Sequence, residues 1–282
     1  MGNKESRFWL WGYTLDTIPG TAFFVPGETR CSLETAARYL NCDGVFWMNG
    51  LHDLEALCDR NAALLEAFPS VICGLTHIET NGPGKGGWKM LYREAAARVA
   101  ELAKRHPNIK GAIIDDFLHP DGPSRDMTPK DLHEVNAVLK EKNADLQLYV
   151  VQYHMTQAPD RLLPFQDDFD GLTTWAWNST TDFWNSLYEK EIREIRRLYP
   201  NKRLVQGLFL NAYGDLGDNA PQPMDQLELQ CERISPMLDE GVIDGWCALQ
   251  SGHLGRESHR RQVQFLKDYW EWYRGTRTVR RG

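Results

Sequence analysis

The 282-residue sequence lacks the features that would place it in a membrane or on a nucleic acid. No apolar run approaches the ~18–20 residues that a membrane-spanning helix needs, so we expect no membrane partner. The net charge is −7, and the one basic cluster is short, between Arg277 and Arg281. We expect no nucleic-acid partner, because such a partner usually requires a clustered basic surface.

The sequence also lacks the cysteine spacings of metal and redox motifs. Its six cysteines form no C-x-x-C or C-x-x-x-C pair: Cys31, Cys42, Cys58, Cys73, Cys231 and Cys247. They fall within helical or strand-like segments, where thiols are usually small core residues. Met1 to Lys4 do not lead into an apolar signal core either. We therefore expect a reducing, cytoplasmic location and no cofactor, and leave open a leader peptide removed from the mature protein.

What the sequence does contain is an alternation that repeats eight times: a short β-rich run, a loop and a helical pattern. Alternation with helices predicts a parallel sheet, and eight units predict its closure into a single-domain α/β fold, the (β/α)₈ TIM barrel, over residues 1–282. We expect residues 275–282 to form a flexible tail. The predicted strands are Phe8–Tyr13, Gly44–Asn49, Val71–Ile78, Gly111–Phe117, Gln147–Met155, Gly171–Asn178, Arg203–Asn211 and Gly241–Gln250. The predicted helices are Ser32–Leu40, Asp53–Phe68, Leu91–His106, Pro129–Asn143, Pro159–Asp170, Leu187–Tyr199, Met224–Glu240 and Ser258–Tyr273.

The connections between these elements differ in length according to their direction. Those from helix to strand are short, whereas those from strand to helix are long and rich in Gly, Pro, Asp and Trp, as in Thr14–Cys31 and Ala212–Pro223. In barrels of this kind, binding and catalysis use the loops that follow the strands and the last strand residues. We therefore expect the functional site there. The oligomeric state stays open.

Polar and aromatic side chains are concentrated at the predicted strand ends. Indole faces cover the apolar side of a sugar ring, and amides meet its hydroxyl groups, so this set predicts a carbohydrate substrate. The candidate substrate-binding residues are Trp11, Tyr13, Trp47, Asn49, His77, Glu79, Gln152, His154, Trp175, Trp177, Asn178, Asn211, Tyr213, Gln250 and His253.

Two adjacent aspartates, Asp115 and Asp116, close the fourth predicted strand between Ala112–Ile114 and Phe117. Like charges this close do not both ionise cheaply, and apolar surroundings raise at least one pKa. The pair therefore predicts a general acid beside a carboxylate, as glycoside hydrolysis requires. Both can reach one ligand only where the strand ends and twists. The alternative is structural: one carboxylate caps the next loop and the other binds backbone.

The pair resembles the catalytic aspartates of the retaining N-acetylglucosaminidases called O-GlcNAcases. This resemblance implies that the 2-acetamido oxygen of the substrate is the nucleophile. It also implies that Asp115 orients the acetamido group, while Asp116 is the general acid and then the general base. Four further residues are similar in type to the sugar-holding residues of that family: Trp177, Asn178, Asn211 and Tyr213.

Other patterns fit less well. The related chitinase motif DxxDxDxE is broken, because Phe117 and Leu118 stand where its acid is expected. No lysine stands at a strand end, which disfavours a Schiff-base aldolase. The Gly-rich run Ser251–Arg256 could cradle a phosphate with backbone N–H groups, but a simple turn is the favoured interpretation.

Two other functional classes remain as alternatives. A metal-dependent sugar isomerase or hydrolase could draw its ligands from strand-end groups: His77, Glu79, Asp115, Asp116, His154, Asp215 and His253. Against it, the first strand, Trp-Leu-Trp-Gly-Tyr, lacks the His-x-His of metal-dependent amidohydrolase barrels. A non-catalytic carbohydrate-binding barrel would keep the aromatic residues without needing the carboxylate pair. Our main interpretation remains a glycosidase with Asp115 and Asp116 as catalytic carboxylates and no metal.

Overall fold

The computed structural model of the protein describes residues 7–14, 31–48, 54–81, 87–177, 180–213 and 220–280. Its centre is a closed barrel of eight parallel strands, which confirms the predicted fold. Each strand pairs with the next along the chain, and the first pairs with the last. The strands are β1 (Phe8–Tyr13), β2 (Gly44–Met48), β3 (Ser70–Gly74), β4 (Ile109–Ile114), β5 (Gln147–Tyr153), β6 (Gly171–Trp175), β7 (Arg203–Phe209) and β8 (Gly245–Leu249).

Helices surround this barrel in the order that the sequence predicts. They are α1 (Leu33–Tyr39), α2 (Asp59–Ala63), α3 (Tyr92–Arg105), α4 (Pro129–Lys140), α5 (Tyr188–Leu198), α6 (Met224–Asp239) and α7 (Arg260–Arg280). Short 3₁₀ helices span Leu54–Ala56, Pro159–Phe165, Ser251–Gly255 and Glu257–His259, and a π-helical turn spans Phe183–Leu187. No helix in these ranges is both long and apolar enough to cross a membrane. All six cysteines are free thiols.

Several predicted elements differ from the structure. The predicted helix Asp53–Phe68 is a 3₁₀ turn at Leu54–Ala56 followed by the short α2. The predicted strand Val71–Ile78 is two elements, because β3 ends at Gly74 and His77–Glu79 forms an antiparallel hairpin with Trp88–Met90. The segment after β5 is 3₁₀ rather than α-helical, and it carries two prolines that cannot donate backbone hydrogen bonds. Helix α7 continues to Arg280, through most of the segment expected to be a tail.

At the amino-terminal end of the barrel, three aspartates each join two neighbouring strands. Each aspartate directly precedes the glycine that begins a strand. A carboxylate oxygen of Asp43 accepts the Phe8 N–H at 3.0 Å, that of Asp170 the Leu148 N–H at 2.8 Å, and that of Asp244 the Leu204 N–H at 2.8 Å. Each bond links a strand to the start of its neighbour. Hydrogen bonds to charged groups contribute about 1.5–3 kcal/mol. Polar groups thus support the amino-terminal face of the barrel, opposite the loops expected to carry function.

Aromatic side chains fill the barrel interior. The lumen cluster includes Trp9, Trp11, Phe46, Tyr149, Trp175 and Phe209, whereas outward strand residues pack with the helices in a separate cluster. Glycines on neighbouring strands make room for these rings. A Cβ atom at Gly171 would lie 2.3 Å from the Tyr149 ring, and one at Gly207 would lie 2.1 Å from the Trp175 ring. The interior is therefore a packed core up to the level of the strand ends.

Replacing Gly207 with alanine should destabilise the protein by about 1–3 kcal/mol, the usual cost of overpacking a core. Trp175 is 3% exposed and packs against Trp11 and Phe209, so its ring has little room to yield to the new methyl group. Urea unfolding measures the change. Gly275→Ala is the control, because nothing lies within 4 Å of its Cβ position in α7. Alanine favours helix there, so the control should lose no stability. Equal stability of the two variants would contradict this account of the core.

Candidate active site

The two aspartates lie where β4 ends, and a change of backbone conformation separates them. Ile113 points into the lumen, and Asp115 follows it with the same strand parity. Asp116 has a φ of +49°, in the left-handed region that few non-glycine residues adopt. Its N–H donates to Asp115 Oδ1 at 2.9 Å. Because the chain leaves the extended conformation here, strict alternation no longer forces the two side chains apart.

Tyr153, the last residue of β5, holds the second aspartate. Its hydroxyl donates to Asp116 Oδ1 at 2.6 Å, which is a short, charge-assisted hydrogen bond. The loop that follows is also fixed to the aspartate, since Ser124 Oγ–H donates to the Asp116 carbonyl at 2.6 Å. The His119 ring lies edge-on to the Tyr153 ring at 4.9 Å. The Asp116 carboxylate and its backbone are therefore both positioned before a ligand arrives.

The electrostatics of the pair favour one retained proton. Burial raises the pKa of Asp115 well above its usual range, and the negative charge of Asp116 raises it further. Burial, followed by Asp116 and Asp115, raises the pKa of Tyr153 well above its ordinary value. Burial and then Asp115 also raise the pKa of Tyr13, at the end of β1. Both phenols therefore stay protonated, and within the described part of the chain the two carboxylates are paired with hydrogen-bond donors, Tyr153 O–H and the Asp116 N–H.

The aromatic side of the lumen is built by β6 and β7. Trp177 stacks on Tyr213 with the ring centroids 4.5 Å apart and the planes at 22°, and its edge meets Phe209 at 5.9 Å. Trp177 is half-buried, so part of it stays accessible. Trp11 and Trp175 meet edge to face at 5.7 Å and are 4% and 3% exposed, so they belong to the packed interior. Tyr213 lies close enough to Tyr13 and Tyr153 to contribute to the raised pKa of both phenols, so this aromatic side adjoins the aspartates.

Three of the residues predicted to contact the ligand have side chains that point away from the lumen. Trp47 is fully buried among residues of the strand–helix layer. Gln152 Nε2 donates to the carbonyls of Ala158 and Pro159. His154 lies between Glu191 at 3.0 Å and Gln206 at 3.1 Å. Since strand side chains alternate, residues 46, 48 and 153 take the inward positions instead. The prediction chose the wrong face of β2 and β5.

The other predicted residues are distributed around the rim. Within the hairpin, the ring centroids of His77 and Trp88 lie 4.9 Å apart. Asn211 and His253 belong to a cluster around His259, which Asn211 contacts at 3.0 Å. Gln250 is buried directly after β8. Asn49, Asn178 and the side chain of Glu79 lie outside the described residues.

The metal-enzyme alternative gains no support from this distribution. Its histidines lie in three separate surroundings: the hairpin, the strand–helix layer and the rim cluster. In the described ranges, no three His, Cys, Asp or Glu side chains are grouped as a metal ion would require. Asp215, another predicted ligand, lies outside those ranges.

Sequence reasoning missed Tyr153, Ser124 and His119. Tyr153 stands between the two residues that were selected here, Gln152 of β5 and His154 directly after the strand. In a strand buried on both faces, apolar and aromatic residues occupy both alternating positions, so the inward face cannot be identified. The signal that could have identified Ser124 and His119 is the Gly- and Pro-rich loop directly after the aspartates.

Comparison with known proteins establishes the fold. No family model and no curated protein sequence matches this chain. Three similar solved structures are barrels of different activity. An endoglucanase from Pseudomonas stutzeri has a TM-score of 0.54 at 12% identity, with 93% of each chain covered. An archaeal fructose 1,6-bisphosphate aldolase has a TM-score of 0.55 at 14% identity, with 95% of each chain covered. The tryptophan synthase alpha-subunit from Pyrococcus furiosus has a TM-score of 0.51 at 13% identity, covering 96% of this chain and 99% of that one.

These neighbours are enzymes, but their reactions differ, and identities this low show only a common fold. Function must therefore be argued from the residues at the strand ends. The resemblance to O-GlcNAcases remains an interpretation of the Asp115–Asp116 motif.

Proposed function

We propose that the protein is a glycoside hydrolase in which Asp115 and Asp116 are the catalytic carboxylates. The observation that carries the proposal is the paired geometry at the end of β4. One carboxylate accepts a hydrogen bond from a buried tyrosine, and burial, followed by the charge of Asp116, raises the pKa of its neighbour Asp115. Hydrolysis of a glycosidic bond needs one carboxylic acid and one carboxylate, and this arrangement supplies both.

The contacts suggest a division of labour. Asp116 is the acceptor of the side-chain hydrogen bond, since the Tyr153 hydroxyl donates to its Oδ1 at 2.6 Å. Asp115 is the carboxyl group whose pKa is raised, by burial and by Asp116. We therefore assign the proton donor to Asp115 and the anionic role to Asp116. The resemblance to O-GlcNAcases implies the opposite assignment, and leaving-group dependence decides between them.

The substrate is a sugar that fits against Trp177. The ring of Trp177 is backed by the buried Tyr213 and is itself only half-buried, so it provides a flat apolar surface for a sugar face. The protonated phenol of Tyr13 lies near the carboxylates and can donate a hydrogen bond to the substrate, whereas the Tyr153 hydroxyl already donates to Asp116. A 2-acetamido sugar also suits the aspartate pair. Its own carbonyl oxygen would act as the nucleophile, while Asp116, in the anionic role, accepts a hydrogen bond from the acetamido N–H.

A panel of aryl glycosides tests the proposal. We expect the protein to release aryl alcohol from at least one 2-acetamido sugar, at a rate unaffected by a chelator such as EDTA. Loss of turnover in EDTA, with recovery on adding a divalent metal, would support the metal-dependent alternative. Sugar binding without turnover would support the carbohydrate-binding alternative. Either result would contradict the glycosidase. Calorimetry with the same sugars separates the binding module from an inactive preparation.

A further inference from the structure

A cluster of side chains between the ends of β7 and β8 has hydrogen-bonding capacity that the proposed reaction does not use. His253 is 0% exposed and stacks on His259, with the ring centroids 4.7 Å apart and the planes at 15°. His259 is held on both sides: Nε2 contacts Asn211 Oδ1 at 3.0 Å, and Nδ1 contacts Ser258 Oγ at 3.0 Å. The His259 ring is therefore fixed, and the His253 ring that stacks on it is held in position.

Two side chains of this cluster lack partners among the described residues. Neither ring nitrogen of His253 has a hydrogen-bond partner in the ranges that the structure describes. Arg256 is half-buried, and its Nε and Nη1 are shielded from solvent, again without a partner. The adjacent carboxylate does not compensate for it, because Glu257 is exposed and lies 3.5 Å from Arg260 instead. A partly desolvated guanidinium without a counter-ion is unfavourable, and native proteins usually pair such groups.

The cluster carries one positive charge. Burial, then His259 and Arg256, lowers the pKa of His253 well below its usual value. Burial, followed by Arg256, lowers the pKa of His259 to about 4. Both imidazoles are therefore neutral near pH 7, and Arg256 supplies the net charge. A neutral imidazole still offers one N–H donor. The unused groups thus combine a cation with a donor, which is the complement of an oxyanion.

Backbone amides contribute less than the Gly-rich sequence suggested. The His253 N–H donates to the Gln250 carbonyl at 3.0 Å, and the Arg256 N–H donates to the His253 carbonyl at 3.2 Å. These two amides are therefore occupied within the 3₁₀ turns and do not take part in the recognition. Water could satisfy an N–H group here, but it supplies no charge to neutralise Arg256.

We propose that His253 and Arg256 form a binding site for an oxyanion, the carboxylate or phosphate group of a small molecule. Arg256 provides the charge and the N–H donors, and His253 donates from one ring nitrogen. This site does not depend on the proposed glycosidase activity. Inorganic phosphate, or a sugar that carries a phosphate, would occupy it through the same contacts.

Calorimetric titration with inorganic phosphate, acetate, glucose 6-phosphate and glucose tests the site. We expect phosphate to bind and Arg256→Gln to weaken its binding at least about thirtyfold, since removing one partner of a buried charge pair usually costs that much or more. His253→Gln should weaken binding less. The control, Arg261→Gln, removes an exposed arginine five residues along the chain and should change binding less than about twofold. Equal affinities of Arg256→Gln and Arg261→Gln for every anion, or no anion binding at all, would overturn the proposal.

Stability measurements separate a binding role from a structural one. Without phosphate, Arg256→Gln should keep the unfolding temperature of the wild type, because it removes a charge that no described residue compensates. With phosphate, only proteins that retain Arg256 should gain stability, since a ligand stabilises the state that binds it. Stronger binding of glucose 6-phosphate than of phosphate, lost with Arg256, would identify a sugar phosphate as the ligand. A large drop in stability without any anion would assign Arg256 to the fold and contradict the site.

Discussion

Asp115→Asn should lower turnover of a substrate with a poor leaving group by about 10²–10⁴-fold, which corresponds to roughly 3–5 kcal/mol in the activation barrier. The reason is that Asp115 holds the proton which the departing oxygen needs, and asparagine cannot supply it. An activated aryl leaving group scarcely needs that proton, so the same variant should lose less than about tenfold with a dinitrophenyl glycoside. Measuring kcat/KM for leaving groups of graded acidity gives the slope for each protein.

Asp116→Asn should behave differently. It removes the carboxylate that Tyr153 positions, and with it the group that assists formation of the first bond to the anomeric carbon. Turnover of substrates with activated and with poor leaving groups should then fall by about the same factor. Asp126→Asn is the control, because this residue lies on the same loop with its side chain 81% exposed. If Asp116→Asn shows the strong leaving-group dependence instead, the roles are exchanged, as the resemblance to O-GlcNAcases implies. If neither variant loses activity, the pair is structural.

The same assignment fixes the direction of the pH profile. The pKa of Asp115 is raised by burial and by Asp116, so its acid form persists above the pH at which an ordinary aspartate ionises. Activity should fall as the pH rises through that elevated pKa, because the proton donor is lost. Asp115→Asn should abolish this alkaline limb with the activated substrate, whereas Asp126→Asn should retain it. An alkaline limb that survives in Asp115→Asn belongs to another group.

The fold was predictable because its signals are periodic and local. The strand–loop–helix period and the long loops after strands follow from chain geometry, and the structure has β1 over the same residues as the prediction, Phe8–Tyr13. Strands that pair in parallel are buried on both faces, so their sequences read as nearly continuous apolar runs. This property identifies a strand but hides which side chains point inward. Trp47 and Gln152 were therefore placed on the wrong side, and Tyr153 was missed.

The presence of the aspartate pair at a functional position could be predicted from the sequence, but its conformation and contacts could not. Two carboxylates inside an apolar run are conspicuous in any sequence. The left-handed conformation of Asp116 and the hydrogen bond from Tyr153, 37 residues away, depend on tertiary contacts. The sequence does not reveal the surroundings of His154 for the same reason, since Glu191 belongs to α5, which follows the next strand, β6. Long-range pairing decides which polar strand-end groups face a ligand and which support the fold.

Replacing the 2-acetamido group of the substrate with a hydroxyl group should reduce turnover by more than about 10⁴-fold. A neighbouring nucleophile acts at an effective concentration of about 10⁵–10⁸ M, and the hydroxyl substrate loses that advantage entirely. The proposal for a 2-acetamido sugar rests on the aspartates, since both carboxylates come from consecutive residues on one side of the lumen. One of them can protonate the leaving group while the other orients the acetamido N–H, which leaves the attack to the substrate itself.

A graded series makes this test quantitative. Successive fluorine substitution on the acetamido methyl group weakens the carbonyl oxygen as a nucleophile and changes the shape of the sugar little. The rate should fall with each fluorine, while binding measured by competition should change far less. A substrate with a 2-hydroxyl group that is cleaved at a comparable rate would contradict neighbouring-group participation. A second protein carboxylate would then be required for attack, and Glu79→Gln, in the hairpin after β3, would be the next variant to measure. Because this outcome would leave the aspartate pair as the source of the proton, it would change the mechanism without changing the reaction class.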